Sequence, residues 1–328
     1  MTKNLLRGGF YAALVVSAAC FAGCASGGGN SVLTPPPKPP PAFYTAIGAS
    51  DAVGYGASKP CTTAVPPDGP ADPTCLGTSG TGYVPLLARR LGSGVTLDDL
   101  GYSGAVLGPD ILATVNSYGF AGSPTVCRPT QNYPTDFLTT ELPLVSASST
   151  LVTIFAGGND TIGLINAVGC GAGGTTLAQQ VAYLQVEIGT FRNDLAKLIA
   201  GVKSVAPHAK IVIANLPNFS LIPIGLAQST GTQQGLAYLS TQLDAQVINP
   251  LASSGIAVAD LLCNPQSYVA TNFYSDGFHP NDAGYALFAQ QFYAQAAAVS
   301  PAPPQTTCSF ATRQSSLRSR LSAGMRRI

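Results

Sequence analysis

Leu151-Val152-Thr153-Ile154-Phe155-Ala156-Gly157-Gly158-Asn159-Asp160 is a short apolar run that stops at a glycine pair and two hydrogen-bonding side chains. Such a run, with no polar alternation and turn residues at its end, suits a strand covered on both faces. Similar runs stand at 43–47, 95–100, 211–214 and 256–261, the second interrupted by Asp98-Asp99. Helical patterns fall between them. The clearest holds Leu177, Val181, Leu184, Ile188, Phe191, Leu195, Leu198 and Val202, spaced by fours and threes. Thr175 or Thr176 is placed to cap its start and Pro207 to close its end, and the stripe reads as core packing. Five strands with intervening helices predict an α/β fold, a three-layer α/β/α sandwich around a central, mostly parallel five-stranded sheet. Ligands collect at the carboxyl ends of the strands in open sheets of this type, so the chemistry is expected just after those strands.

Composition narrows the class. The chain has 328 residues, 46% hydrophobic and 9% charged, with a net charge of +1. That hydrophobic content excludes a wholly disordered chain, and no apolar block of 18 residues in the body allows a multi-span membrane protein. No repeat of solenoid period recurs. The near-neutral total hides an asymmetry: all fifteen acids lie between Asp51 and Asp282, whereas Arg313, Arg318, Arg320, Arg326 and Arg327 crowd the last sixteen residues. Setting aside Lys3 and Arg7 near the start, nine bases face fifteen acids, so the body carries −6 and the tail +5. An acidic body does not invite nucleic acid, and the tail reads as a solvated, disordered end.

Lys3 and Arg7 precede an apolar stretch over 10–22 that is too short to span a membrane as a mature helix, the anatomy of an export signal. It ends in Phe21-Ala22-Gly23-Cys24, which resembles the bacterial lipobox with Phe21 in the usual place of Leu. The resemblance implies removal of 1–23 and lipidation of Cys24. Ala25 in the second mature position points to the outer membrane. Residues 24–41, with Gly27-Gly28-Gly29 and the proline run 35–41, read as a tether. The remaining division expected is a folded body over 42–300 and a basic tail over 301–328.

Export suits the cysteines. Beyond Cys20 and Cys24 there remain Cys61, Cys75, Cys127, Cys170, Cys263 and Cys308. Six cysteines allow fifteen connectivities; sequential pairing is expected, because Cys61 to Cys75 closes a loop rich in Pro, Gly and Asp. Such a closure is worth roughly 3 kcal/mol in the entropic model. No Cys-x-x-Cys pair exists and the chain has two histidines, so no metal site is expected.

The segments after the strands carry the functional signal. They read Gly48-Ala49-Ser50-Asp51 with Gly54 and Gly56 beyond, Gly101-Tyr102-Ser103-Gly104, Gly157-Gly158-Asn159-Asp160, Asn215-Leu216-Pro217, and Asp276-Gly277-Phe278-His279-Pro280-Asn281-Asp282. In this order the chain resembles the SGNH hydrolases, the GDSL-type esterase and lipase superfamily with its flavodoxin-like sheet, over about 43–298. The residues make chemical sense without the name. A serine hydroxyl attacks an ester only if a base takes its proton. His279 lies three residues after Asp276, a carboxylate able to fix its tautomer. His208 sits in a turn at the amino end of a strand and reads as an exposed loop residue. The resemblance implies Ser50 as nucleophile, His279 as base and Asp276 as its orienting partner. It also implies an oxyanion hole from the N–H of Ser50, the N–H of Gly104 and the side chain of Asn159. Ala49 and Asp51 depart from the Asp and aliphatic residue usual on either side of the serine; Asp51 reads as a cap of the following helix.

The function implied is hydrolysis of carboxylic esters through an acyl-enzyme, on a small-molecule or lipid ester, by a monomer without cofactor. O-deacetylation of a polysaccharide is the alternative, discriminated by insertions at 61–75, 119–132 and 264–271. A non-catalytic envelope lipoprotein is the third. No Gly-x-Ser-x-Gly elbow and no phosphate-binding Gly-x-x-x-x-Gly-Lys motif occurs.

Overall fold

The computed structural model describes residues 43–62, 69–72, 79–118, 127 and 132–308. Among them five strands form one sheet: β1 (Phe43–Gly48), β2 (Thr96–Asp99), β3 (Leu151–Phe155), β4 (Lys210–Ala214) and β5 (Ala257–Ala259). The order is β2-β1-β3-β4-β5 and every pairing is parallel, with Ala46 opposite Asp99 on one side and Thr153 on the other. β3 and the body of β1 are buried on both faces, as their unbroken apolar composition requires. β5 is the shortened member of the set. β2, at the edge, is buried at alternate positions only. Its Asp99 belongs to the buried set, and the acidic pair forms the last two residues of the strand.

The helical layers follow from the handedness of parallel crossovers. From β1 the chain moves outward to β2 through α1 (Ser50–Val53) and α2 (Tyr83–Leu91), then reverses direction. It proceeds through α3 (Pro109–Tyr118), α4 (Phe137–Thr140), α5 (Gly158–Gly169), α6 (Leu177–Val205), α7 (Pro223–Leu226) and α8 (Thr230–Leu243). Right-handed connections running in opposite directions along a sheet place their helices on opposite faces. α3, α5, α6 and α8 accordingly pack on one another, while α2 packs on the last helix, α9 (Asp282–Ala297), with the rings of Tyr83 and Phe292 stacked at 5.0 Å. The reversal falls between β1 and β3, and a crevice opens at such a switch point, beyond the carboxyl ends of the strands.

α6 starts as its sequence foretells. Thr176 caps it in a reciprocal box, its hydroxyl accepting from the Gln179 N–H while the Gln179 side chain accepts from the Thr176 N–H. Leu184, Ile188, Phe191, Leu195, Leu198 and Val202 are buried, whereas Leu177, in the first turn, is exposed. Disulfides join Cys127 to Cys170 and Cys263 to Cys308, 43 and 45 residues apart; loops of that length are worth about 4 kcal/mol each in the entropic model. Cys61 is also disulfide-bonded, and its expected partner Cys75 lies outside the described residues. The second bridge, with the Gln305 N–H donating to Asp260 at 2.8 Å, fastens 301–308 to the body although composition assigns those residues to the tail. Cys24, the leader, the tether and the arginine-rich end lie outside the described residues. No helix among the described residues is long and apolar enough to cross a membrane.

Candidate active site

β1 ends in Gly48, and the backbone is held from two sides there. Its carbonyl accepts from the Tyr102 N–H at 3.0 Å, and its N–H donates at 2.9 Å to Glu141, a fully buried side chain just past α4. Ser50 then opens the one-turn helix α1, which stops at Gly54 in the left-handed region at φ 80°. Asp51 is the second residue of that helix and makes no capping hydrogen bond; the N-cap position is Ala49. The expected capping role of Asp51 is therefore corrected: the residue sits inside the turn and not before it, and the backbone N–H that its carboxylate meets is its own. It lines an apolar recess instead, with Phe155, Gly158, Phe219, Phe278 and Phe288. Burial pushes its carboxyl up to about 6, against the pull of the nearby His279.

Ser50 and His279, 229 positions apart, meet with Oγ 2.8 Å from Nε2. On the other side of the ring, Nδ1 lies 2.7 Å from Asp276 Oδ2. The turn between Asp276 and His279 folds because Gly277 takes φ 70°, open to glycine at no cost. That turn aims the N–H groups of Phe278 and His279 back at Asp276 Oδ1, at 2.9 and 3.0 Å. Burial works to raise the Asp276 carboxyl, but the hydrogen bonds from the His279 ring and the two N–H groups outweigh it, holding the group below its usual range. Asn281 locks the exit, accepting from Ala283 and Gly284 at the start of α9 and donating to the carbonyls of Thr271 and Phe273.

Asn159 lies in the first turn of α5, after Gly157 at φ 107°. Its Nδ2 donates to the Ala105 carbonyl at 2.8 Å, beside Gly104, and the carboxylate of Asp160 accepts from the Leu107 N–H at 3.0 Å. One hydrogen of the Asn159 amide is thus engaged in fixing the neighbouring loop, and the second is left to donate elsewhere. Gly104 sits at φ 81°, and no backbone acceptor among the described residues takes its N–H. The loop reaches Ser50 through the Tyr102–Gly48 bond, and a Cβ on Gly158 would stand 3.6 Å from the Phe278 ring, next to His279. The ends of β1, β2 and β3 and the loop before α9 therefore converge.

His208 is exposed in the turn before β4, at the opposite end of the sheet. Two residues at the site escape a reading of motifs: Glu141, which has no local signal, and Tyr55, whose ring centroid lies 4.4 Å from that of His279. The glycines on either side of Tyr55 were its one visible sign. Among the described residues no group of three His, Cys, Asp or Glu side chains converges as metal ligands would. Most of the insertions at 61–75 and 119–132 lies outside the described residues, while 264–271 forms short 3₁₀ turns anchored by Tyr268, which donates to the Leu262 carbonyl and accepts from the Asn218 N–H.

A parallel sheet with a serine hydroxyl hydrogen-bonded to an imidazole at its switch point has the makings of a hydrolase that works through a serine. The family model agrees: residues 46–287 match the GDSL-like lipase/acylhydrolase family, and the chain belongs to it. It is a serine hydrolase that cleaves carboxylic esters. Solved structures with the same fold include the extracellular lipase of Streptomyces rimosus, 18% identical with a TM-score of 0.50, covering 77% of this chain and 99% of that one. Phospholipase A1 of Streptomyces albidoflavus NA297 is also 18% identical, with a TM-score of 0.51 over 78% of this chain and 100% of its own. No curated protein matches the chain.

Proposed function

We propose that Ser50, His279 and Asp276 act as a catalytic triad on carboxylic esters. The observation that carries this is the continuous chain of hydrogen bonds from Ser50 Oγ through both ring nitrogens of His279 to Asp276, at 2.8 and 2.7 Å. Ser50 Oγ bonds to the ester carbonyl carbon as its proton passes to His279 Nε2. The carbonyl oxygen becomes an oxyanion, held by the N–H groups of Ser50 and Gly104 and by the free Nδ2 hydrogen of Asn159. Collapse breaks the bond to the alcohol, which departs with the proton from His279. Water then adds to the acyl carbon, giving a proton to the imidazole, and Ser50 leaves with that proton restored. Asp276 stays charged throughout and stabilises the imidazolium on each half of the cycle.

The test is labelling by a fluorophosphonate together with turnover of acyl nitrophenyl esters. Wild-type protein is expected to be labelled once and to hydrolyse the esters; Ser50→Ala should lose both. Labelling of Ser50→Ala at the wild-type rate would sink the assignment.

The same enzyme is read as exported and lipid-anchored through Cys24, on the tether over 24–41. Two disulfides among the described residues support export, because such bonds persist in oxidising compartments. Cys24→Ala should then move the protein from the membrane fraction to the soluble one; unchanged fractionation would refute the anchor.

A further inference from the structure

We infer that Tyr55 is a positioning residue for His279, its ring face steadying the imidazole as it becomes an imidazolium. This rests on the triad reading above. Tyr55 leaves α1 with its N–H donating to the Ser50 carbonyl at 2.8 Å, and its own carbonyl accepts from the buried Tyr285 hydroxyl at 2.6 Å. The residue is thus tied to the nucleophile's backbone at one end and to α9 at the other. It is bracketed by Gly54 and Gly56, both left-handed at φ 80° and 87°. A Cβ at Gly56 would stand 2.8 Å from both the Pro280 carbonyl oxygen and Tyr274 Cβ. Only glycine therefore lets this turn close on the segment that carries His279.

The result of that approach is specific. The Tyr55 ring lies over the imidazole with centroids 4.4 Å apart and planes tilted by 35°, and Tyr274 meets the Tyr55 ring edge-on at 6.2 Å. Phe278 closes the imidazole from another side, edge-on at 4.9 Å. Hydrogen bonds to Ser50 and Asp276 hold the ring within its own plane, but they do not stop it from tipping out of that plane. The aromatic face does. An aromatic face also attracts a cation, and the imidazole gains positive charge as it takes the serine proton. The contact is thereby stronger in the reacting state than in the resting one, which is the condition for raising kcat without tightening substrate binding.

The experiment compares full-length wild type with Tyr55→Leu, Tyr55→Met and Tyr55→Phe on one nitrophenyl ester, with His279→Ala alongside. Tyr55→Leu and Tyr55→Met should lose roughly 3- to 30-fold in kcat, the span of a cation–π contact, with little change in KM. Tyr55→Phe should recover most of it. A loss confined to KM, an unchanged kcat in both aliphatic variants, or a Tyr55→Phe defect as deep as theirs would overturn the inference. Should the aliphatic variants fail to fold, proton NMR of the wild type decides, since the chain has only two histidines. The His279 ring protons should be displaced upfield of those of His208 by the Tyr55 ring current, and their coincidence would refute the stack. Full activity in His279→Ala would instead remove the triad reading beneath it.

Discussion

Asp276 at the rim of the site and the carboxyls on the floor beneath it are built from the same chemistry and driven in opposite directions. Asp276 keeps a third of its side-chain surface in solvent and accepts from the His279 ring and two backbone N–H groups. Its donors hold it below the ordinary carboxylate range. Asp99, Glu141, Asp160 and Asp244 are buried, and each accepts a backbone N–H with one oxygen: those of Gly101, Gly48, Leu107 and Leu216. The other oxygen of each finds no partner among the described residues. Burial pushes all four upward, Asp99 to about 8 and Asp160 to about 7. The number of donors against the depth of burial decides which carboxyl carries charge. The rim keeps the charge that orients an imidazole, whereas the floor uses acids drawn toward neutrality as clasps on the loops that leave β1, β2 and β4.

The largest effect expected from breaking this contrast is at the rim. Asp276→Asn should lower kcat by on the order of 10³–10⁴, since an amide in that place no longer enforces the tautomer or stabilises the imidazolium. Steady-state kinetics checks it, and a loss under tenfold would mean the carboxylate is not the orienting group. Asn159→Ala comes next. Removal of an oxyanion donor costs on the order of 10²–10³ in turnover, and single-substrate kinetics with a melting curve separates that loss from unfolding of the 104–107 loop.

The floor governs a smaller effect, in stability and pH. Folded-state values above the unfolded ones mean that the folded chain holds more protons between about pH 4 and pH 8, so stability declines as pH rises through that window. Thermal melts should therefore show a lower midpoint at pH 8 than at pH 5. Asp276, displaced the other way, contributes stability that is lost only as pH falls below the carboxylate range. Asp99→Asn, which keeps an acceptor for Gly101 and cannot ionise, should flatten the alkaline decline. At about 2–4 °C per kcal/mol the gain at pH 8 is readable, and a melt whose slope with pH is unchanged would show that Asp99 does not titrate with folding.

Much of this molecule is legible from neighbours along the chain. The parallel five-stranded α/β fold follows from unbroken apolar runs separated by a 3.6-residue stripe, and a cap for α6 from the threonine pair at 175 and 176, of which the folded chain uses Thr176. Ser50, Asn159, Asp276 and His279 stand after strands or in a glycine turn, and the roles expected of them come from the resemblance of those segments to the SGNH hydrolases. Asp51 was misread because a motif position says nothing about where a one-turn helix begins. Glu141 and Tyr55 were not read at all.

The difference is one of range. Strand, helix, turn and cap depend on residues within a few positions, so sequence alone determined the sheet, its carboxyl edge and the short list of side chains along it. The clasp of Glu141 on Gly48 joins positions 93 apart, and the seat of His279 beneath Tyr55 depends on the left-handed Gly56 closing against Pro280 and Tyr274. Whether a carboxyl is charged, and which ring covers the imidazole, follow from burial and from the count of donors brought in by distant segments. Those quantities come into being only when the chain has packed, and the tertiary structure alone decided them.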